Sequence, residues 1–139
     1  MNDLENIQRL TERFKRQMPD GEVYQKRLAE EFELILKQRF TEYFLKICDI
    51  IDITQDIKHM TRGSAGSSLV CYLLGITDVD PVKWNIPVAR FLNPLRDDLP
   101  DVDIDFEHWR QKNVMARIFK KWYGKTARIS NYVTYKHTS

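Results

Sequence analysis

Pro100-Asp101-Val102-Asp103-Ile104-Asp105-Phe106 places three carboxylates at every second position, with Val102, Ile104 and Phe106 between them. Side chains alternate across a β-strand, so the pattern predicts a strand with its acids on one face and its apolar residues in a core. Acids held that close repel one another, and a divalent cation offsets the repulsion. The stretch therefore reads as a Mg²⁺ or Mn²⁺ site, with Asp101, Asp103 and Asp105 as ligands suited to phosphoryl transfer. A charged edge strand that discourages pairing is the bland alternative. A calcium-binding EF-hand loop is excluded, because Phe106 stands where Gly is needed and Lys112 where a bidentate Glu is needed.

Downstream of this stretch the charge changes sign. Residues 107–139 hold eight Lys/Arg and one acid, Glu107, whereas residues 1–106 carry a net −5, within a total of +2. A basic segment directly after an acid cluster suits a protein that grips a polyanion beside a metal, and a solvated helix face gives the same charge count. Met115, Ile118, Phe119 and Trp122 form a helical stripe ending near Tyr123-Gly124, and Ala127 to Val133 reads as a second strand. Arg110, Arg117 and Lys121 project from other parts of that helix and are candidate contacts to a DNA backbone. Trp109 and Tyr132 suit a core better than base stacking. His59, His108 and His137 lack paired ligand spacing for zinc.

Upstream, Arg62-Gly63-Ser64-Ala65-Gly66-Ser67-Ser68 precedes the apolar run Leu69 to Leu74. Small residues before a helix leave backbone N–H groups uncovered, and a helix N-terminus favours an anion. Ser64, Ser67 or Ser68 could hydrogen-bond a phosphate, and an ordinary capped turn is the competing reading. The spacing is neither that of a P-loop nor of a dinucleotide fingerprint.

The first half is predicted helical. Leu4, Ile7 and Phe14 mark a first helix ending near Pro19-Asp20-Gly21. Tyr24, Leu28, Phe32 and Ile35 mark a second from about Glu22 to Arg39, and a third runs from Tyr43 to Ile53. With 42% hydrophobic and 30% charged residues, the 139-residue chain has an ordinary globular composition. No apolar run approaches the ~18 residues of a membrane span. The acidic, polar start Met1-Asn2-Asp3-Leu4-Glu5 is unlike a secretory signal, and Cys48 and Cys71 have no metal-ligand spacing. A cytoplasmic protein without a membrane partner is the expectation.

RGSAGSSLVCYLLGITDVDP (62–81), RFLNP (90–94) and PDVDIDF (100–106) occur in an order and spacing that resemble the C-family of bacterial replicative DNA polymerases, the α subunits of DNA polymerase III. Weaker similarity covers residues 24–51 and 127–136, so the resemblance spans about residues 22 to 137. It implies an α+β chain, with a helical segment over 1–58 followed by a partial nucleotidyltransferase-like palm over 59–139. It also implies that Arg62, Gly63 and Ser64 contact nucleotide phosphates and that Arg90 and Arg96 add positive charge there. Asp103 and Asp105 would be the catalytic metal-binding pair, with Asp101 the remaining acid of the motif. Primer–template DNA, deoxynucleoside triphosphates and Mg²⁺ or Mn²⁺ are the implied partners.

The departures are specific. Lys58-His59-Met60-Thr61 replaces the family's usual Gly-Pro-Gly before Arg62, Ala89 replaces a Glu, and Leu95 interrupts the family's Pro-Glu-Arg. The family's third catalytic aspartate lies farther along than Ser139. The expectation is a truncated or split polymerase, inactive until a second polypeptide completes the site. A non-catalytic nucleic-acid-binding or regulatory remnant is the alternative, and another nucleotidyltransferase is a third.

Overall fold

The computed structural model describes residues 2–96 and 98–126. Helices α1 (Asp3–Glu12), α2 (Glu22–Gln38) and α3 (Thr41–Ile53) come first, followed by strand β1 (His59–Arg62), a 3₁₀ turn (Gly63–Ser67) and the short helix α4 (Leu69–Leu73). After a 3₁₀ turn at Val88–Arg90 come strand β2 (Asp103–Phe106), another at His108–Arg110, and helix α5 (Gln111–Lys121). The architecture is α+β, mostly helical with one antiparallel strand pair.

Local chemistry sets the helix ends. The Asn2 side chain accepts from Leu4 N–H at 2.9 Å, capping α1, and Asp3 and Glu5 favour its first turn. α1 stops at Glu12, earlier than predicted, and Phe14 lies beyond it, stacked on Phe32 with ring centroids 6.3 Å apart. α2 ends where Arg39 takes the left-handed conformation at φ 60°, turning the chain into α3 two residues later. Buried Asn6 donates to Thr41 Oγ1 (3.1 Å), which donates to Asp3 (3.0 Å), tying α1 to the start of α3.

One apolar cluster joins Leu10, Ile35, Phe44, Cys71, Leu74 and Leu92, and Val102 and Ile104 pack against it. Phe44 meets Phe91 edge-on at 6.0 Å. This cluster draws on residues from both sides of residue 58. Both cysteines are buried and free, and burial pushes the Cys48 thiol up to about 11. Among the described residues no helix is long and apolar enough to cross a membrane.

The helix predicted from Met115, Ile118 and Phe119 is α5; Val114 is its buried residue, and Met115 and Phe119 are exposed. One expectation just before it is corrected. Trp109, expected in the core, is 73% exposed and lies beneath the Arg110 guanidinium. The strand predicted over 127–133, together with Tyr132 and His137, lies outside the described residues.

Candidate functional site

The acidic stretch gains its partner from residues that carried no strand signal. β1 pairs antiparallel with β2, setting His59 opposite Phe106, Met60 opposite Asp105, Thr61 opposite Ile104 and Arg62 opposite Asp103. Asp103 and Asp105 are exposed while Ile104 and Phe106 turn inward, as the alternation predicts. Asp101 and Val102 continue that alternation but precede the strand. The reason lies across the ladder, where β1 ends at Arg62 and Gly63 turns away at φ +82°. A Cβ on Gly63 would lie 3.5 Å from Asp103 Oδ2, so the acidic strand and the Gly-Ser turn meet here.

Behind the turn, hydrogen bonds are fully committed. Ser67 Oγ donates to Ser64 C=O at 2.6 Å, and Ser68 Oγ accepts from Cys71 N–H at 3.1 Å, capping α4. The anion at this helix N-terminus is internal. Glu31, with no exposed surface, accepts from Leu69 N–H (2.7 Å), Val70 N–H (3.0 Å), Ser68 Oγ (2.7 Å) and Arg27 Nε (2.9 Å). Burial pushes the Glu31 carboxyl up, and those four donors oppose the shift. Arg27 also donates to Ser67 C=O (2.6 Å) and Ile86 C=O (2.7 Å). The expectation that Ser67 or Ser68 and the α4 N-terminus would take a phosphate is therefore corrected: a carboxylate and a helix cap already use them. Sequence reasoning passed over Glu31. Its signal was an acid four positions before Ile35 on the apolar face of α2, with Arg27 four residues earlier.

In front of the turn lies a polar cleft of about 390 Å³, bordered by Ser64, Arg90, Asn93, Arg96, Asp98 and Asp101. Gln38 Nε2 donates to the carbonyls of Asn93 and Arg96, both at 2.7 Å, and so holds the Arg96 segment against α2. The Tyr43 hydroxyl donates to Pro100 C=O, fixing the backbone beside Asp101. Burial, with Asp101 close by, pushes the Tyr43 hydroxyl up.

The three acids do not share one environment. Arg62 Nε lies 2.6 Å from Asp105 Oδ2 and its Nη2 3.1 Å from Oδ1, so one guanidinium covers both oxygens of Asp105. Among the described residues, no three His, Cys, Asp or Glu side chains form a group able to hold a metal ion. Asp101 and Asp103 are both exposed.

The three candidate DNA contacts also differ. Arg117 reaches Asp56 at 2.6 and 3.0 Å and Ile53 C=O at 3.0 Å, and Arg110 reaches Asp56 at 3.0 Å. Both arginines thus pin α5 to the segment between α3 and β1, and their guanidiniums hold the Asp56 carboxyl well below the usual range. Lys121 is exposed beside the Trp122 ring.

Residues 4–139 match the family described as the bacterial DNA polymerase III alpha NTPase domain. The chain is 42% identical over 124 residues to an error-prone DNA polymerase of Cutibacterium acnes, covering 86% of this chain and 11% of that protein. It is 43% identical over 119 residues to DNA polymerase III subunit alpha of Staphylococcus aureus, covering 84% of this chain and 11% of the relative. The chain therefore spans about a tenth of the length of these curated relatives. A match over nearly all its residues, with the Gly-Ser turn and the acidic strand brought together, makes the chain a member of the DNA polymerase III alpha family, corresponding to a part of that protein.

Proposed function

We propose that this chain is the nucleotide-handling part of a DNA-directed DNA polymerase palm. In this reading Asp101 and Asp103 are the carboxylates for Mg²⁺ or Mn²⁺, and Arg62, Gly63 and Ser64 receive the triphosphate, with Arg90 and Arg96 across the cleft. The observation that carries it is the approach of Gly63 to Asp103, which sets a position without a side chain against a carboxylate, next to Ser64 on the wall of a polar cleft that also holds Arg90 and Arg96. Asp105 is less suited to a metal than Asp101, because Arg62 already covers both its oxygens.

The chemistry follows from charge. A primer 3′-hydroxyl attacks the α-phosphorus, a new P–O bond forms, and pyrophosphate leaves with the electrons of the broken P–O bond. Bound divalent metal supplies charge stabilisation for the attacking and departing oxygens. The chain's own groups orient and neutralise. Guanidiniums of Arg62, Arg90 and Arg96 offset the triphosphate charge, and the missing side chain at Gly63 lets phosphate approach the backbone. Template bases are read by pairing, so lysines such as Lys121 need only meet the DNA backbone.

Binding of a fluorescent dATP analogue to the whole chain, with and without Mn²⁺, tests this reading. Mn²⁺-dependent binding that is lost in Asp103→Asn is the expected result. Binding indifferent to Mn²⁺ and to Asp103 would instead favour a non-catalytic role.

A further inference from the structure

The geometry points to Asp105 as a positioning residue: it holds the Arg62 guanidinium in front of the Gly63–Ser64 turn as the docking cation for a polyphosphate, and it does not ligate metal. This rests on the triphosphate reading above and assigns one of its three acids a different task.

The ladder register places Arg62 opposite Asp103, yet the guanidinium passes its direct neighbour and reaches diagonally to Asp105. Diagonal neighbours are within reach of a side chain as long as Arg. Asp103 is left facing Gly63, where no side chain competes for it. The fork engages Asp105 through Nε–H and one N–H of Nη2. A guanidinium carries five N–H donors, so three point away from Asp105, and two of them form an edge that matches a phosphate's oxygens. A metal on Asp105 would have to displace this fork or sit beside its positive charge.

Stability does not explain the pair. Arg62 is 69% exposed and Asp105 49%. Ion pairs that open to water contribute little to folding. Orientation is what a two-point contact adds. It fixes a long, rotatable side chain two residues before Ser64, which borders the polar cleft that holds Arg90 and Arg96 together with Asp98 and Asp101.

The test uses the full chain, inorganic tripolyphosphate followed by calorimetry, and Mn²⁺ followed by electron paramagnetic resonance. Removing a negative charge should by itself strengthen anion binding. The proposal predicts the opposite sign. Asp105→Asn should weaken metal-free tripolyphosphate binding about tenfold, the equivalent of one charge-assisted hydrogen bond. Arg62→Gln should weaken it at least as much, and the double variant should go no further than Arg62→Gln. Arg62→Lys, which keeps the charge but not the fork, should also bind weakly, and Asp105→Glu should restore part of the affinity. Mn²⁺ affinity should survive Asp105→Asn and fall in Asp103→Asn. Stronger tripolyphosphate binding in Asp105→Asn, or equal loss of Mn²⁺ in the Asp105 and Asp103 variants, overturns the proposal and leaves the nucleotide reading intact. A wild-type chain that binds neither probe overturns both.

Discussion

Two carboxylate–guanidinium pairs flank the Gly63–Ser68 segment, and they differ in almost every physical respect. Behind the turn, Glu31 has no exposed surface and Arg27 only 13%, and Glu31 accepts from four donors. In front, Asp105 and Arg62 face water and meet each other at two points. A buried charge without its partner is far more costly than an exposed one, because water cannot replace what was lost. The rear pair therefore fixes the shape of the turn, and the front pair leaves donors for something that arrives from solvent. The turn is held from behind by buried hydrogen bonds, and in front of it stands an ion pair open to water.

That contrast breaks most visibly at Glu31. Glu31→Ala strands the Arg27 charge and the N–H groups of Leu69 and Val70, so urea unfolding should show a loss of about 3–5 kcal/mol. Glu31→Gln keeps the shape but aims an NH₂ at donors, and its smaller loss of about 1–3 kcal/mol would sharpen the assignment. Between the pairs, Gly63→Ala meets no clash, since the new Cβ lies at ordinary distance from Asp103. Its cost is the positive φ alone, about 1–2 kcal/mol in the same assay.

A third pair offers a control away from the turn. Arg117 and Arg110 lower the Asp56 carboxyl below its ordinary range. A depressed carboxyl stabilises the fold above the unfolded value, about 4, and that stabilisation is lost as pH falls through the lower folded value. The melting temperature of Asp56→Asn should therefore trail the wild type at about pH 6, and the gap should close progressively below about pH 4. The smallest effect belongs to the front pair. Asp105→Asn and Arg62→Gln should each change stability by less than about 1 kcal/mol, whatever they do to anion binding.

Legibility in the sequence follows the same division. The acidic strand was readable because alternation is a local, period-2 signal, and β2 keeps its acids exposed and its apolar residues turned inward. Helix α2 was readable from Tyr24, Leu28, Phe32 and Ile35, and its bounds agree to within a residue. The strand His59–Arg62 was not, since four residues of mixed character become a strand only through their partner. Glu31 was hidden for a related reason. Its meaning comes from N–H groups nearly forty residues away, which no pattern within α2 records. The resemblance singled out Asp103 and Asp105 among the three acids, and no pattern in the sequence shows that Arg62 pairs with Asp105. Arg110 and Arg117 read as a free basic face for the same lack of a visible partner, Asp56.

The most direct measurement is anomalous diffraction from crystals of the chain soaked with Mn²⁺ and dATP. A manganese peak at Asp101 and Asp103, with triphosphate along Arg62, Gly63 and Ser64 and the Arg62–Asp105 pair intact, is the predicted result. A peak on Asp105 with Arg62 displaced, or nucleotide bound away from the Gly-Ser turn, would contradict it.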